Sequence, residues 1–179
     1  MVRVALLDRD GVLDRDRDDY VKVEAEMVVF PYARAAVAAL RRAGWRVYVC
    51  SNQSAVGRGL MTMKDARRIT AKLIREAGPF DGIFYCFHRP DEGCDCRKPA
   101  PGMLRRALAA AAKFGPLEEC WMIGDSERDA EAGRRAGCRT AVVLTGSLNA
   151  EAAAALKPAP DLVAPDLAAA VAALLGRTR

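Results

Sequence analysis

The chain is expected to fold as an α/β protein with three Rossmann-like layers: a mostly parallel central sheet between two layers of helices. Two observations carry this expectation. Short apolar runs alternate with helical patterns from end to end, and such alternation builds parallel sheets through right-handed crossovers. The apolar runs are also continuous rather than alternating in polarity, as strands are when helices cover both faces.

The strands are expected at "VRVALLD" (2–8), "RVYVCS" (46–51), "GIFYCF" (82–87), "CWMIGD" (120–125), "TAVVLT" (140–145) and, more weakly, "DLVA" (161–164). Helical patterns lie between them. Residues 33–43 stop at Gly44, and 63–77 stop at Gly78, with Thr62 and Asp65 placed to cap the start. Residues 102–114 follow Pro101 and stop at Gly115, 127–136 stop at Gly137, and 166–175 run from Asp166 to Gly176. A glycine just past a helix supplies the left-handed conformation that ends it. The alanine-rich stretches 107–112, 152–155 and 168–173 are good helix formers, and "LKPAPD" (156–161) reads as a rigid loop. No repeat or linker divides the chain, so one domain is expected over residues 1–179. Trp45 and Trp121 flank strands and are expected in the core.

Composition narrows the class. Of 179 residues, 51% are hydrophobic, enough for a sizeable core. No apolar run approaches the ~20 residues of a membrane helix. The opening "MVRVALLDRDG" reaches acidic residues before a signal-peptide core forms. A soluble cytoplasmic protein with no membrane partner is expected. The formal charge of +5 suits a small anionic substrate and is too diffuse to argue for nucleic acid. In such a compartment disulfides are not expected, and Cys50, Cys120 and Cys138 read as isolated buried thiols.

In open parallel sheets, ligands bind beyond the carboxyl ends of the strands. Those ends carry Asp8-Arg9-Asp10-Gly11, Ser51-Asn52-Gln53-Ser54, a cysteine loop running into Arg97-Lys98, and Gly124-Asp125-Ser126 with Asp129 nearby. Two aspartates spaced i, i+2 point the same way if strand geometry persists. Bringing Asp125 beside them crowds carboxylates, which is unfavourable without a cation. Oxygen ligands of this kind suit Mg²⁺, which shares phosphate oxygens. With Lys98 and Ser51 on the opposite wall, the ends form a phosphate cradle. There one carboxylate attacks phosphorus while a second protonates the leaving alcohol and later activates water.

The only histidine serves elsewhere. In "CFHRPDEGCDCRKPAPG" the ligands Cys86, His88, Cys94 and Cys96 make a Cys₃His set. Four strong ligands close a tetrahedral Zn²⁺ shell and leave no position for water, so this zinc is expected to be structural. Cys96 is bonded directly to Arg97-Lys98, so ordering the loop 86–98 orders the two cations. The acidic run Asp14, Asp16, Asp18, Asp19 is not a calcium loop: Asp19 stands where that loop needs glycine, and Ala25 where it needs glutamate. A solvated or sugar-contacting loop is expected there.

These segments, in this order, resemble the four motifs of the haloacid-dehalogenase-like (HAD) phosphatases: "LLDRDGVL", Ser51-Asn52, Lys98 and "MIGDSERD". Within that family, "SNQSAVGRG" and "CFHRPDEGCDCRKPAPGML" are similar to the subgroup holding heptose 1,7-bisphosphate 7-phosphatases and histidinol-phosphate phosphatases, which has a zinc loop and no large cap domain. The resemblance implies Asp8 as nucleophile and Asp10 as acid/base. It implies Mg²⁺ on Asp8, the Asp10 backbone carbonyl and Asp125. Ser51 and Lys98 would hold the phosphoryl group, with Arg97 recognising the substrate. Arg17, Asp18, Asp19, Tyr20, Ser51, Asn52, Gln53 and Ser54 would line the pocket, and Arg58 would contact a remote phosphate. The implied activity is removal of the 7-phosphate from D-glycero-D-manno-heptose 1,7-bisphosphate in lipopolysaccharide-core precursor synthesis, by a monomer, with histidinol phosphate as the alternative. Three positions depart from the pattern, and the zinc loop is short. Ser51 replaces a threonine and keeps its hydroxyl, Ala55 replaces a glycine, and Ser126 stands where some members carry lysine. A phospho-acceptor signalling domain shares the sheet and the acidic triad, but it expects its acceptor at the end of the middle strand, and the strand read as such here runs into cysteines.

Overall fold

The computed structural model describes residues 1–176; of the expected span 1–179, residues 177–179 lie outside the described part. Six strands form one sheet: β1 (Val2–Leu7), β2 (Trp45–Asn52), β3 (Gly82–Cys86), β4 (Leu117–Gly124), β5 (Arg139–Val143) and β6 (Leu162–Ala164). The helices are α1 (Ala33–Arg42), α2 (Met63–Ala77), α3 (Gly102–Ala112), α4 (Glu127–Arg135), α5 (Ala150–Ala155) and α6 (Leu167–Gly176).

The sheet order is β3-β2-β1-β4-β5-β6 and every pairing is parallel. The direction of winding reverses between β1 and β4, and such a reversal opens a crevice at the carboxyl edge. Alternation along β1 splits the core. Ala5 and Leu7 pack with α1, α2 and α6 on one face, whereas Val4 and Leu6 pack with α3 on the other. Trp45 and Trp121 are both buried. The longest stretch between a strand tip and its helix, residues 8–32, holds one 3₁₀ turn, Glu24–Glu26, so no large cap is built into it.

Most elements lie where the sequence places them, with five corrections. The fourth strand begins three residues early, at Leu117, on exposed residues that alternation could not mark. The third strand is a half-buried edge strand rather than a buried one. Gly78 does not end α2 in the left-handed region; its φ is −75°, and Pro79 stops the helix. Gly176 is the last residue of α6 rather than a stop beyond it. Cys120 and Cys138 are not isolated: Cys120 in the middle of β4 and Cys138 just before β5 sit side by side, and a hydrogen bond from Cys138 lowers the pKa of the Cys120 thiol. The expected cap of α2 is present as a reciprocal pair, Asp65 N–H to Thr62 Oγ1 at 3.1 Å and Thr62 N–H to Asp65 Oδ2 at 3.3 Å. Among the described residues no helix is long and apolar enough to cross a membrane.

Candidate active site

Beyond the carboxyl edge of the sheet lies a cavity of about 280 Å³, lined by Asp8, Asp10, Ser51, Lys98, Asp125 and Asp129 at its base. That volume suits a small metabolite.

Lys98 is the hub. Its ammonium is buried and sits 2.9 Å from Asp8 Oδ2, 2.5 Å from Asp129 Oδ1 and 2.9 Å from the carbonyl of Cys50. Burial favours the neutral amine, yet Asp129 and Asp8 overcome it, so the lysine stays cationic. Its backbone is held by one side chain: Asn52 Nδ2 donates to the Lys98 carbonyl and Lys98 N–H donates to Asn52 Oδ1, both at 3.0 Å. The β2 tip therefore fixes the lysine that the cysteine loop delivers.

The strand geometry assumed for Asp8 and Asp10 does not persist. The chain turns at Arg9, with Leu13 N–H donating to the Arg9 carbonyl at 2.8 Å. Asp8 is buried between β1 and β4, while Asp10 is half-exposed and gripped from two sides. The Arg9 guanidinium binds Asp10 Oδ1 at 2.5 Å, and Gln53 Nε2 donates to Oδ2 at 2.6 Å. Gln53 also donates to Ser51 Oγ at 3.1 Å.

Burial pushes the Asp8 carboxyl up to about 7, Lys98 opposing and Asp129, Asp125 and Asp10 adding to it. Burial and Asp129 likewise raise Asp125 to about 6, against donation from Ser147 N–H and Oγ at 2.7 and 2.8 Å. Asp129 goes the other way: burial opposes its charge, but Lys98 holds it below the usual range. Asp8, Asp125 and Asp129 can each offer an oxygen within 4.8 Å of the others. Three crowded carboxylates, two of them reluctant to ionise, are what a divalent cation relieves. Gly11, at φ +76°, makes room: a Cβ there would lie 2.8 Å from the Asp125 carboxylate.

The cysteine loop forms a second cluster. Cys96 Sγ lies 3.2 Å from both Cys86 Sγ and His88 Nδ1, and 3.5 Å from Cys94 Sγ; Cys86 lies 3.6 Å from Cys94 and from His88 Nδ1. Four soft donors facing one point match a tetrahedral zinc shell. The loop that follows β2 leans on this one. Gln53 N–H donates to the Cys86 carbonyl at 2.7 Å, and a Cβ on Gly57 would stand 2.3 Å from the Phe87 carbonyl oxygen.

The rim brings Arg17, Asp18, Tyr20, Asn52, Gln53, Ser54 and Arg97 to the same cavity. Two expected residues do not reach it. Arg58 is exposed on the turn after Ser54, outside the lining. Asp19 faces away, pairing with Arg17 at 2.9 Å and Lys22 at 2.6 Å. Asp14 is neither solvated nor at the pocket: it is wholly buried, 3.7 Å behind Arg9. Ala55 places its methyl in the core, and Ser126 caps α4, its hydroxyl donating to Asp129.

Arg9, Arg128, Asp129 and Ser147, none of them given a role from the sequence, also shape the site. Each had a signal. Arg9 stands between the two catalytic candidates. Asp129 lies one helical turn beyond Asp125, and Arg128 is beside it. Ser147 follows the fifth strand, whose tip the strand-end rule also covers.

The comparisons agree with this geometry. Residues 95–170 match the HAD-hydrolase-like family model. The chain is 41% identical over 177 residues to the D-glycero-beta-D-manno-heptose-1,7-bisphosphate 7-phosphatase of Pseudomonas aeruginosa, covering 95% of this chain and 96% of that one. It is 38% identical over 179 residues to the same-named protein of Bordetella bronchiseptica, covering 97% and 98%. A crystal structure of the D,D-heptose 1,7-bisphosphate phosphatase from B. bronchiseptica, complexed with magnesium and phosphate, superposes with a TM-score of 0.87 at 37% identity, over 98% of this chain and 99% of that one. The chain belongs to the HAD-like phosphatases, among the relatives of the heptose-bisphosphate phosphatases.

Proposed function

We infer that this chain is a phosphomonoesterase that removes the 7-phosphate of D-glycero-β-D-manno-heptose 1,7-bisphosphate, a step toward the heptose of lipopolysaccharide core. The observation that carries the reaction class is the Lys98 ammonium 2.9 Å from the Asp8 carboxylate, in one cavity with Asp125. A carboxylate beside a buried cation is placed to take a phosphoryl group whose charge the cation balances. The substrate, and its β anomer, are supported by the names of relatives matched nearly end to end.

In this reading Asp8 attacks phosphorus and the ester oxygen leaves. Asp10 gives that oxygen a proton, then takes one from the water that hydrolyses the aspartyl-phosphate and restores Asp8. Arg9 and Gln53 hold the two Asp10 oxygens, so the carboxyl that shuttles the proton is oriented beforehand. Ser51 Oγ and Lys98 Nζ bind the phosphoryl oxygens. Mg²⁺ would be held by Asp8, Asp125 and the Asp10 carbonyl, and when bound it neutralises charge on the phosphoryl group. Asp129 acts as the counter-ion of Lys98 rather than as a ligand, because Lys98 and Ser126 already occupy its carboxylate. Structural Zn²⁺ would be held by Cys86, His88 Nδ1, Cys94 and Cys96, fixing Arg97 and Lys98.

The test is phosphate release from a panel holding both anomers of the heptose bisphosphate, histidinol phosphate and simple sugar phosphates. The β-bisphosphate is expected to show the highest kcat/KM. Faster turnover of histidinol phosphate would replace the substrate. No turnover of any ester, with a stable acyl-phosphate on Asp8, would replace the enzyme by a signalling domain.

A further inference from the structure

We propose that Arg128 reads the remote phosphate of the substrate, making it a specificity-determining residue alongside Arg97; this rests on the reading of the site as a sugar-bisphosphate phosphatase. The cavity lining contains five basic side chains: Arg9, Arg17, Arg97, Lys98 and Arg128. Three are committed to carboxylates. Arg9 is buried against Asp10, Lys98 is buried against Asp8 and Asp129, and Arg17 chelates Asp19 at 3.0 and 2.9 Å. Two are not. Arg97 reaches only the His88 carbonyl, at 3.5 Å. Arg128 is exposed at the second position of α4; it helps hold Asp129 charged from a distance, but among the described residues no carboxylate stands within ion-pair distance of it.

Both guanidiniums line the same cavity. Arg97 and Arg128 immediately precede Lys98 and Asp129, whose side chains meet at 2.5 Å. The other stretch of the rim carries Asp16 and Asp18, which flank the already neutralised Arg17. The lining therefore offers two kinds of group, the carboxylates of Asp16 and Asp18 on one segment and the guanidiniums of Arg97 and Arg128 on two others. A substrate whose reacting phosphoryl group sits on Lys98 leaves its hydroxyls and a second anion at the rim. Carboxylates accept hydrogen bonds from hydroxyls, whereas a phosphate is repelled by them and forms strong, often bidentate bonds with arginine. The remote phosphate goes to Arg97 and Arg128. Arg58, the sequence candidate for this role, lies outside the cavity lining.

The test compares heptose 1,7-bisphosphate with heptose 7-phosphate, which share the ester bond that is cleaved and differ only in the remote phosphate. Arg128→Ala is expected to lower kcat/KM for the bisphosphate by roughly 10- to 100-fold more than for the 7-phosphate, the range of a lost charge-assisted hydrogen bond. The loss should appear in KM. The competitive inhibition constant of the 1-phosphorylated product should weaken by a similar factor, and Arg128→Lys should recover part of both. Thermal melting checks that the exposed substitution leaves the fold intact. If wild type prefers the bisphosphate and Arg128→Ala keeps the full preference, or lowers both substrates equally, the role of Arg128 is overturned while the proposed reaction stands. If wild type shows no preference for the bisphosphate over the 7-phosphate, the bisphosphate assignment itself fails, and the role of Arg128 with it.

Discussion

Two clusters of side chains that could hold a metal ion are linked through the short segment from Cys96 to Lys98, and they are built on opposite principles. The carboxylate cluster at the β1 and β4 tips uses hard oxygen donors, is too crowded to hold its charge unaided and opens into a cavity. The thiol–imidazole cluster offers three sulfur donors and an imidazole, the number that closes a tetrahedral zinc shell. The first is unstable by itself, which makes it useful for binding and chemistry. The second is closed, which makes it useful for holding something still. Next to it stands Lys98, two residues beyond Cys96, whose buried ammonium pairs with Asp8. The difference shows that a site of like charges needs rigid support from outside itself.

The largest effect that would break this contrast comes from Asp8→Asn. It is expected to lower phosphate release by at least ~10⁴-fold, as loss of a covalent nucleophile does, without unfolding the protein, because it removes one of several crowded charges. Substantial residual turnover would mean that the open cluster does not supply the nucleophile.

Stripping the proposed zinc with a strong chelator should act differently. Melting is expected to fall by about 5–10 °C, on the order of 2–3 kcal/mol for a chain of this size. Hydrogen exchange should rise in residues 86–98, and kcat/KM should drop about tenfold or more as Lys98 loses its support, while Mg²⁺ still binds. Loss of Mg²⁺ binding with the loop still protected would merge the two roles.

The smallest effect is on pH dependence. Asp8 and Asp125 titrate near 7 and 6 in the folded, metal-free protein, above the ordinary 3.8. The folded state therefore binds more protons than the unfolded state between these values. Stability from these two groups is present at low pH and is lost as pH rises through about 6 to 7. Without Mg²⁺ the melting temperature should fall by a few degrees between about pH 5.5 and 8. Mg²⁺ should flatten that slope, and Asp8→Asn should reduce it. A metal-free melting temperature that climbs over the same window would show that the carboxylates are not crowded.

Much of this was legible in the chain. The sheet, its parallel sense and its helices follow from apolar periodicity, which is local. The residues at the strand ends follow from topology, because a parallel sheet brings its carboxyl ends together whatever the side chains are. The Cys₃His set follows from spacing. Other features depend on direction rather than position. Arg58 and Asp19 sit in segments that reach the site, but their side chains turn away. Asp14 looked like part of a polar loop and is instead buried behind Arg9, because the segment 9–30 folds back through the Asp10–Asp14 and Asp14–Val29 bridges. Asp129 read as an acidic neighbour of Asp125 and proved to be the partner of Lys98.

The order of strands and helices, the run of carboxylates and amides at the tips, and the zinc-type ligand spacing were determined by the amino-acid sequence alone, since each depends on residues near one another in the chain. Only the tertiary structure decided which charges meet. Lys98 joins Asp8 and Asp129, Arg9 grips Asp10, and Arg128 rather than Arg58 lines the cavity. The physical reason is range. Periodicity and turn chemistry act over a few residues, but Coulomb pairing and burial depend on distances between strands that are neighbours only after the sheet has wound itself together.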